Sequence, residues 1–496
     1  MAPSRRSFLA LSAATLAAPA VAGAAKDAAT IGWPSDVPSW DPNQRFVPDA
    51  QSIFKAVFDQ PLDQSPALQL VPSVIKSWSM APDALSMRVE LRDDVSFHDG
   101  SKLTTADFHY TFFDRTRPTS TLDIKNSWRK AADIEVLSPT RAVMHFSSPA
   151  PTAPEWLAFL GSFIVPKAYI ERVGEKEFAQ KPVGSGPYRL VEYETNARIV
   201  LERNEKYWGP KPAIPRVTIE IIKDPSARVA AVQSGQVDLT IAVPVREAVR
   251  LHGQIDPITR IILLQVRDDL GFADERVRLA AHHAIDKAAL SRAFYNGRAV
   301  PLSQLATPGT SGYMPDLTVS YDPKLAMQLL AAAGYGPKKP VKIGFASTNG
   351  QFPSDYDIAR AIGQMWGRVG IQADIQVIEY GKYFLLNRGH KLPEATLYTF
   401  DNATGDPEIF VGYMLDPKLP FSPWQGKTIG REITAAFDIP GEAARIARWK
   451  QIDRQAMATG AKIPLLQSVQ TMVRAKGLGV TGYGNGWVLP QTMRWS

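Results

Sequence analysis

The segment from Pro182 to Gly209 constrains the fold more than any other, because it joins a glycine-proline corner to two strands. Gly184 and Gly186 permit backbone angles that are closed to other residues, and Pro187 fixes the next φ angle. The chain is therefore expected to turn sharply and enter a strand over Tyr188–Glu192.

A hairpin completes this segment. Glu194–Ala197 is typical of a hairpin turn, and an alternating run follows it. Tyr207 and Trp208 are large side chains that we expect to close the edge of the sheet against a core rather than to contact a ligand. The segment thus predicts a scaffold and carries no chemistry of its own.

These residues closely resemble a block of the extracellular solute-binding proteins of family 5, which feed peptide, nickel, opine and related ABC importers. Further blocks resemble the same family in the same order along the chain. They are Leu70–Trp78, Leu91–Gly100, Leu103–Phe108, Asp224–Leu239, Asp274–Asp286 and Gly405–Glu408. Their shared order makes a chance match a poor explanation.

The resemblance implies an α/β fold of the two-lobed periplasmic-binding-protein (Venus flytrap) type with an additional inserted α/β domain. The first lobe is discontinuous in that family, and crossing segments join it to the second. The implied partition is residues 25–48, 181–262 and 477–496 for the first lobe, 49–180 for the inserted domain and 263–476 for the second lobe.

Composition agrees with a multidomain soluble protein. The chain has 496 residues, 45% hydrophobic and 21% charged, which exceeds the size at which one core stops growing, so about two or three domains are expected. It has no cysteine, which excludes disulfides, zinc-thiolate sites, iron–sulfur clusters and thiol nucleophiles.

The N-terminus predicts export. Ser4–Leu9 contains a twin-arginine pattern, and an apolar run then reaches small-residue cleavage sites at Ala20–Ala22 or Ala22–Ala24. A buried N-terminal helix is the alternative, but the charged start and the polar Lys26-Asp27 favour processing. We therefore expect residues 1–24 to be a Tat-type signal peptide, with Sec export as the alternative, and the mature protein to be periplasmic.

Charge and hydropathy limit the classes of partner that the protein is expected to bind. Cleavage would remove Arg5 and Arg6, leaving 54 basic and 49 acidic residues, a formal charge of about +5. The basic residues are dispersed among acidic ones, so the pI of about 9.3 does not indicate nucleic-acid recognition. No later run approaches about eighteen apolar residues and no lipobox cysteine is present, so we expect a soluble, unanchored monomer.

The spacing of apolar residues predicts the approximate positions of strands and helices. Strands are expected at Met87–Leu91 and Arg141–Phe146, and Thr104 with Asp107 is expected to cap a helix. One helix is expected to run from Asp274 to Asn296-Gly297.

Later segments predict the sheet of the second lobe. Another helix is expected from Asp322-Pro323 to Gly334. Val341–Phe345, a helix ending at Gly370, and Ile371–Val377 form a βαβ unit, which predicts a mostly parallel sheet.

Enzyme and metal motifs are weak. Gly184-Ser185-Gly186 lacks the spacing of a nucleophile elbow or a phosphate loop. His282 and His283 are adjacent on a helix, so they cannot chelate one metal as an i, i+4 pair could. We expect no catalytic residue, no metal and no cofactor.

Ligand-binding residues are expected after the strands of the second lobe, where ligands of open α/β sheets lie. One such segment is Thr399–Asp406, which includes Phe400. In peptide-binding relatives this loop supplies an aspartate for the ligand's α-amine, and Asp401 is the matching position, with Asn402 beside it. Asp406 lies in a Gly-Asp-Pro turn, where a capping role competes with ligand contact.

The other segment follows Val341–Ala346. Dipeptide-binding relatives carry an arginine there for the ligand's carboxylate, whereas this chain has Asn349, Gln351 and Phe352, and asparagine cannot form a bidentate charge-assisted pair. On the facing lobe Trp40 could stack on a ligand or pack in the core, and Tyr380 has the same two interpretations. Aromatic surfaces and carboxylates suit a cationic or partly apolar solute.

The sequence therefore predicts the periplasmic substrate-binding component of an ABC importer, which captures a peptide-like or other small solute between its lobes. It would deliver that solute to a membrane permease and ATPase complex. The alternatives are a ligand-responsive partner of a sensor or chemoreceptor, and an enzyme on the same fold.

Overall fold

The computed structural model describes residues 27–419 and 422–496, so the predicted signal peptide lies outside the described residues. The strands are β1 (Ala28–Trp33), β2 (Leu62–Gln64), β3 (Leu70–Pro72), β4 (Ile75–Met80), β5 (Ser86–Leu91), β6 (Ala131–Ser138), β7 (Arg141–Phe146), β8 (Tyr188–Glu194), β9 (Arg198–Arg203), β10 (Arg216–Ile221), β11 (Leu239–Ile241), β12 (Gln254–Val266), β13 (Val300–Pro301), β14 (Val341–Ser347), β15 (Ile371–Val377), β16 (Ala395–Phe400), β17 (Lys462–Arg474), β18 (Leu478–Gly479) and β19 (Arg494–Trp495).

The α-helices are α1 (Gln51–Val57), α2 (Thr105–Phe112), α3 (Ile124–Ser127), α4 (Ala153–Leu157), α5 (Lys167–Val173), α6 (Glu175–Phe178), α7 (Pro225–Ser234), α8 (Val245–Arg250), α9 (Glu275–His283), α10 (Lys287–Tyr295), α11 (Pro323–Ala332), α12 (Asp355–Val369), α13 (Tyr380–Arg388), α14 (Lys427–Ala436) and α15 (Glu442–Ala458). Short 3₁₀ turns lie at Pro48–Ala50, Asp114–Thr116, Leu270–Phe272 and Pro490–Thr492, and Glu408–Tyr413 is π-helical.

Two long antiparallel strands, β12 and β17, connect the two lobes. The main sheet has the order β15-β14-β16-β12-β17-β11-β1-β10-β9-β8. The end of β17 pairs with β11 on the first-lobe side, and the end of β12 pairs with β16 on the second-lobe side. The pairing of β12 with β17 is irregular between Pro257 and Ile261, so the regular ladder is interrupted where the chain crosses.

The glycine-proline corner is required by close packing. Gly184 and Gly186 do not have positive φ angles, contrary to the expectation from sequence. Instead a Cβ at either position would collide with the backbone of Val57, and the Gly186 amide donates to the Val57 carbonyl at 2.9 Å. The need for glycine therefore comes from the close approach of helix α1.

Tyr207 and Trp208 have a packing role with a polar component. Their side chains donate to the two oxygens of Asp59 at 3.0 and 2.9 Å. Burial raises the pKa of Asp59 to about 6, and these donors oppose the rise. The aromatic pair thus holds a buried carboxyl group beside the corner.

The inserted domain contains an antiparallel sheet in the order β4-β5-β7-β6. Its helix α2 begins with the predicted capping box, in which Thr104 and Asp107 exchange hydrogen bonds with each other's backbone. One buried cluster contains residues between Leu62 and Ile164 together with Ala403, Ile409, Trp487 and Leu489, so this domain packs against later parts of the chain. Helices α1, α5 and α6 contribute instead to the first-lobe core. The domain limits at residues 49 and 180 stay a prediction.

The second lobe contains the predicted βαβ unit. Strands β14 and β15 pair in parallel, and Gly370 ends the intervening helix with a φ of 107°. The single helix expected from Asp274 to Asn296 is wrong, because it is split into α9 and α10. Asp286 accepts from the Ala289 amide at 2.8 Å and so begins a new helix at that point.

Within the described part of the chain, no helix is both long and apolar enough to cross a membrane.

Candidate functional site

A pocket lies where the crossing strands meet the first lobe, the inserted domain and the second lobe. Its walls come from parts of the chain that are distant in sequence. The lining residues are Trp33, Pro48, Asp49, Ser52, Leu160, Ile241, Ile258, Arg260, Asp401, Ala403, Gln470, Asn485, Gly486 and Trp487.

Three charged side chains of this lining form one ion-pair network. Arg260 donates from Nε to Oδ1 of Asp401 at 2.7 Å and from Nη2 to Oδ1 of Asp49 at 3.1 Å. The three side chains keep between 12% and 27% of their surface exposed, so the network is partly shielded from water. One guanidinium therefore faces two carboxylates, which leaves one negative charge in excess.

The surroundings shift the proton affinities of these groups. Burial raises the pKa of Asp401, and the nearby Arg260 guanidinium opposes that rise. Burial alone would lower the pKa of Arg260, but Asp401 and Asp49 outweigh it and the pKa is raised overall. Arg260 is therefore a permanent cation of the site.

The local fold explains why these side chains meet. Arg260 lies in the irregular stretch of β12, so its position follows from the interruption of the ladder between the lobes. Asp49 lies in the 3₁₀ turn Pro48–Ala50, and Asp401 directly follows β16. The network therefore connects three parts of the protein, namely the turn that leads into the inserted domain, the crossing strand β12 and the second lobe.

Polar and aromatic groups complete the cavity. The Nε2 atom of Gln470, on β17, is buried without a hydrogen-bond partner among the described residues, so it can donate to a ligand oxygen. The indole rings of Trp33 and Trp487 form the apolar part of the lining. The Nε1 of Trp33 donates a hydrogen bond of 3.1 Å to the backbone oxygen of Asp49.

Two other candidate ligand-binding residues of this loop, Asn402 and Asp406, make hydrogen bonds that brace it. Asn402 is completely buried; its amide donates to the Asp406 carbonyl at 2.9 Å and accepts from the Gly405 amide at the same distance. Asp406 accepts two hydrogen bonds of 2.8 Å from Arg445. These contacts shape the loop that presents Asp401.

The segment after β14 does not line the cavity. Asn349 is exposed and Gln351 half-buried, whereas Phe352 belongs to the second-lobe core. Asp355 orders this loop by accepting from the amides of Gly350 and Gln351 at 2.8 and 3.0 Å.

Two of the predicted aromatic contacts, Trp40 and Phe400, do not line the cavity. Trp40 is 1% exposed and packs edge-on against Tyr193 in the first-lobe core, so the packing interpretation describes its surroundings. Phe400 ends β16 with its ring 6.1 Å from that of Phe410. Tyr380 begins α13, and its side chain lies outside the described residues.

Sequence reasoning missed Arg260, Asp49 and Gln470. Arg260 stands among Ile258, Ile261 and other apolar residues of β12, and a charged residue inside such a run is a signal that could have been used. Asp49 and Gln470 have no comparable local signal.

The two adjacent histidines have different partners. His282 is buried with its Nε2 2.8 Å from Nζ of Lys287, and the Nδ1 of His283 lies 2.9 Å from the Ser320 carbonyl. Within residues 27–419 and 422–496, no group of three or more His, Cys, Asp or Glu side chains could hold a metal ion.

Comparison with known proteins identifies the class of the chain. Residues 69–418 match the family described as bacterial extracellular solute-binding proteins, family 5 Middle. Among curated proteins, the glutathione-binding protein GsiB of Escherichia coli K12 is 23% identical over 510 residues, which cover 98% of this chain and 97% of GsiB.

Solved structures share the fold. The periplasmic binding protein DppA of Helicobacter pylori in complex with the peptide STSA has a TM-score of 0.84 at 20% identity, covering 94% of this chain and 98% of DppA. The murein tripeptide binding protein MppA of Escherichia coli has a TM-score of 0.83 at 20% identity, covering 95% and 99%. The unliganded open form of MppA scores 0.72 at the same identity, covering 95% and 98%.

Proposed function

The chain belongs to family 5 of the bacterial extracellular solute-binding proteins, and from this premise we propose that it captures a peptide-like solute with a positively charged group for an ABC importer. The cavity beside Arg260 is the binding site. The solute lies between the two lobes, against the crossing strands and the inserted domain.

The observation that carries this proposal is the charge of the cavity. Asp49, Arg260 and Asp401 are its charged lining residues and together contribute one net negative charge. A single ammonium group balances that charge, and a cation placed beside two carboxylates in a partly desolvated site is strongly favoured. An anionic solute would increase the imbalance.

The other lining groups fit a peptide-like body. The unused Gln470 amide suits a carbonyl oxygen of the solute, and Trp33 and Trp487 suit its apolar parts.

The solute is handed to a membrane permease that is driven by an ATPase. This requires a protein that is exported to the periplasm, stays soluble and works as a monomer, with residues 1–24 removed as the signal peptide. Opening and closing of the two lobes about β12 and β17 would control capture and release.

Native mass spectrometry of the protein purified from its own periplasm tests the proposal by revealing the bound solute. Isothermal titration calorimetry with defined di- to pentapeptides then measures affinity, and N-acetylated versions of each binder remove the positive group. Acetylation is expected to abolish binding. Tight binding of anionic or uncharged solutes alone would contradict the proposal.

A further inference from the structure

Glu408 connects the second lobe to the inserted domain. Its carboxylate accepts from the Thr152 hydroxyl at 3.0 Å and from the Trp156 indole at 3.2 Å, and these donors lie 256 and 252 residues away in the chain. Thr152 directly precedes helix α4 and Trp156 lies within it, whereas Glu408 begins the π-helical segment. Glu408 is 5% exposed, so these hydrogen bonds belong to a buried interface between the two parts.

This interface lies where opening of the lobes would separate the protein. Helices α1, α5 and α6 belong to the first-lobe core, so the inserted domain is held to the first lobe by shared packing. The second lobe continues from the crossing strands β12 and β17. We therefore expect the inserted domain to move with the first lobe, so that opening breaks the contacts of Glu408.

Three carboxyl groups meet one guanidinium at the interface. Arg445, on α15, donates two hydrogen bonds of 2.8 Å to Asp406 and is balanced by it. Glu155, on α4, lies close enough to Asp406, Arg445 and Glu408 for each of them to influence its pKa. The Oε2 atom of Glu155 is buried and has no hydrogen-bond partner among the described residues. Ionisation of Glu155 and Glu408 would therefore add two negative charges that Arg445 does not balance.

The neighbouring charged groups have other partners. Lys130 and Arg129 line a pocket at this interface. Lys130 donates to Asp438 at 2.9 Å, and Arg129 is 37% exposed and lies 4.0 Å from Asp416. The hydroxyl of Tyr413 stays uncharged, because burial raises its pKa further above neutral pH. The two glutamates are thus the groups of this interface whose ionisation is least compensated.

We propose that this interface is a proton-dependent latch, in which protonation of Glu155 and Glu408 stabilises the closed arrangement of the lobes and their ionisation favours opening. The hydrogen bonds from Thr152 and Trp156 can form with either state of Glu408, whereas the repulsion between carboxylates arises only when they are ionised. Acidification would tighten the hold on a captured solute, and a rise in pH would promote its release.

The direction of the pH dependence follows from the burial of the two glutamates. Burial raises the pKa of Glu155 to about 7, Asp406 and Glu408 add to the rise, and Arg445 opposes it. Burial also raises the pKa of Glu408, where Arg445 and Lys130 oppose the rise. In the open arrangement both carboxyls would face water, in which the pKa of a glutamate is about 4.3. Closure then takes up protons, so the latch is at full strength below about pH 4 and is lost as the pH rises through about 7.

The test measures the separation of the lobes in the ligand-free protein. The chain has no cysteine, so the exposed pair Ala132→Cys in the inserted domain and Gln364→Cys in the second lobe can carry two spin labels. Double electron–electron resonance at about pH 5 and about pH 8 gives the populations of the open and closed arrangements. Glu155→Gln, alone and together with Glu408→Gln, removes the titrating groups, and Glu171→Gln, an exposed change on α5, is the matched control.

The ratio of closed to open wild-type protein is expected to rise about ten- to a hundredfold from pH 8 to pH 5, because closure raises the pKa of a group that takes up a proton. Glu155→Gln keeps every hydrogen bond of Glu408 and should respond less to pH. The double variant should respond least and be more closed at pH 8 than the wild type, and Glu171→Gln should match the wild type.

A wild-type ratio that does not change with pH, or an equal change in the double variant, overturns the latch. The binding site beside Arg260 contains carboxylates too, and a response that persists in the double variant would be assigned to them. No solute is present in these measurements, so the latch can fail while solute capture stands.

Discussion

Arg260 donates a 2.7 Å hydrogen bond from Nε to Oδ1 of Asp401, and this contact ties the crossing strand β12 to the loop after β16. The sequence predicted that Asp401 would pair with the positive group of a ligand. It is also engaged with a cation of the protein, and the excess negative charge of the site comes from Asp49 as the second carboxylate.

Replacing Asp401 with asparagine should weaken binding of a singly cationic peptide by about 2–5 kcal/mol, because the lining then carries no net negative charge. The free protein should also lose about 1 kcal/mol of stability, since Arg260 loses a charge-assisted partner. Calorimetry and thermal unfolding measure the two effects. Asp133→Asn, an exposed change in β6, is the control. Equal affinity in wild type and Asp401→Asn would remove Asp401 from the site.

Replacing Arg260 with glutamine should have the opposite effect on selectivity. The charge of the lining changes from one negative to two, so peptides with two positive groups should gain affinity relative to those with one. The free protein should be less stable, because two carboxylates are left without their cation. Calorimetry with the two peptide classes, at low and high salt, checks this. An unchanged ratio of affinities would show that Arg260 does not set the charge preference.

Lys462 on β17 should make stability depend on pH. Its side chain is fully buried and its Nζ has no hydrogen-bond partner among the described residues. Burial lowers its pKa from 10.5 to about 7. Between these values the unfolded chain holds a proton that the folded protein does not, so stability is lost as the pH falls from about 10.5 to about 7.

The variant Lys462→Met should remove the dependence of stability on pH that is due to Lys462. Its unfolding free energy at pH 7 should exceed that of the wild type by up to about 4 kcal/mol, and the difference should shrink toward pH 10.5. Chemical denaturation at a series of pH values measures it. A difference that stays constant with pH would mean that Lys462 is protonated in the folded protein.

Export should leave a mature N-terminus between Gly23 and Asp27, because the arginine pair and the small-residue sites are typical of a cleaved signal. Intact-mass measurement of the exported protein checks the position. Replacing Arg5 and Arg6 with lysine should slow export. Unchanged export would favour the Sec route, and exported protein that still carries residues 1–22 would contradict cleavage.

Ligand binding should reduce the radius of gyration. The lobes are joined by β12 and β17, and the ligand can shift them only as far as it prefers the closed arrangement. Small-angle scattering with and without a confirmed binder measures the change, and tryptophan fluorescence provides a second signal. No change in either with a tight ligand would contradict lobe closure.

The sequence predicted elements whose signals are local. The β14–α12–β15 unit follows from alternating residues and from Gly370, whose positive φ ends the helix. The break between α9 and α10 was missed because Asp286, which lies inside a longer helical pattern, also caps a new helix. A strong periodic pattern concealed a local start signal there.

The candidate site was predicted only in part, because its partners are far apart in the chain. Asp401 was found from its place after a strand, but Arg260 lies 141 residues away. Likewise Asp406 is held by Arg445, 39 residues later. A single sequence can indicate which residues follow a strand. It cannot indicate which charged residue, distant in the chain, the fold places beside them.

The indole of Trp495 donates to the carbonyl oxygen of Ala28 at 3.0 Å, across 467 residues. Strand β17 also pairs with β11 in the same lobe. The first lobe thus combines strands from opposite ends of the described chain. During synthesis β1 must wait for β17 before the sheet can be completed, so the first strand to be made cannot be the first to reach its final surroundings.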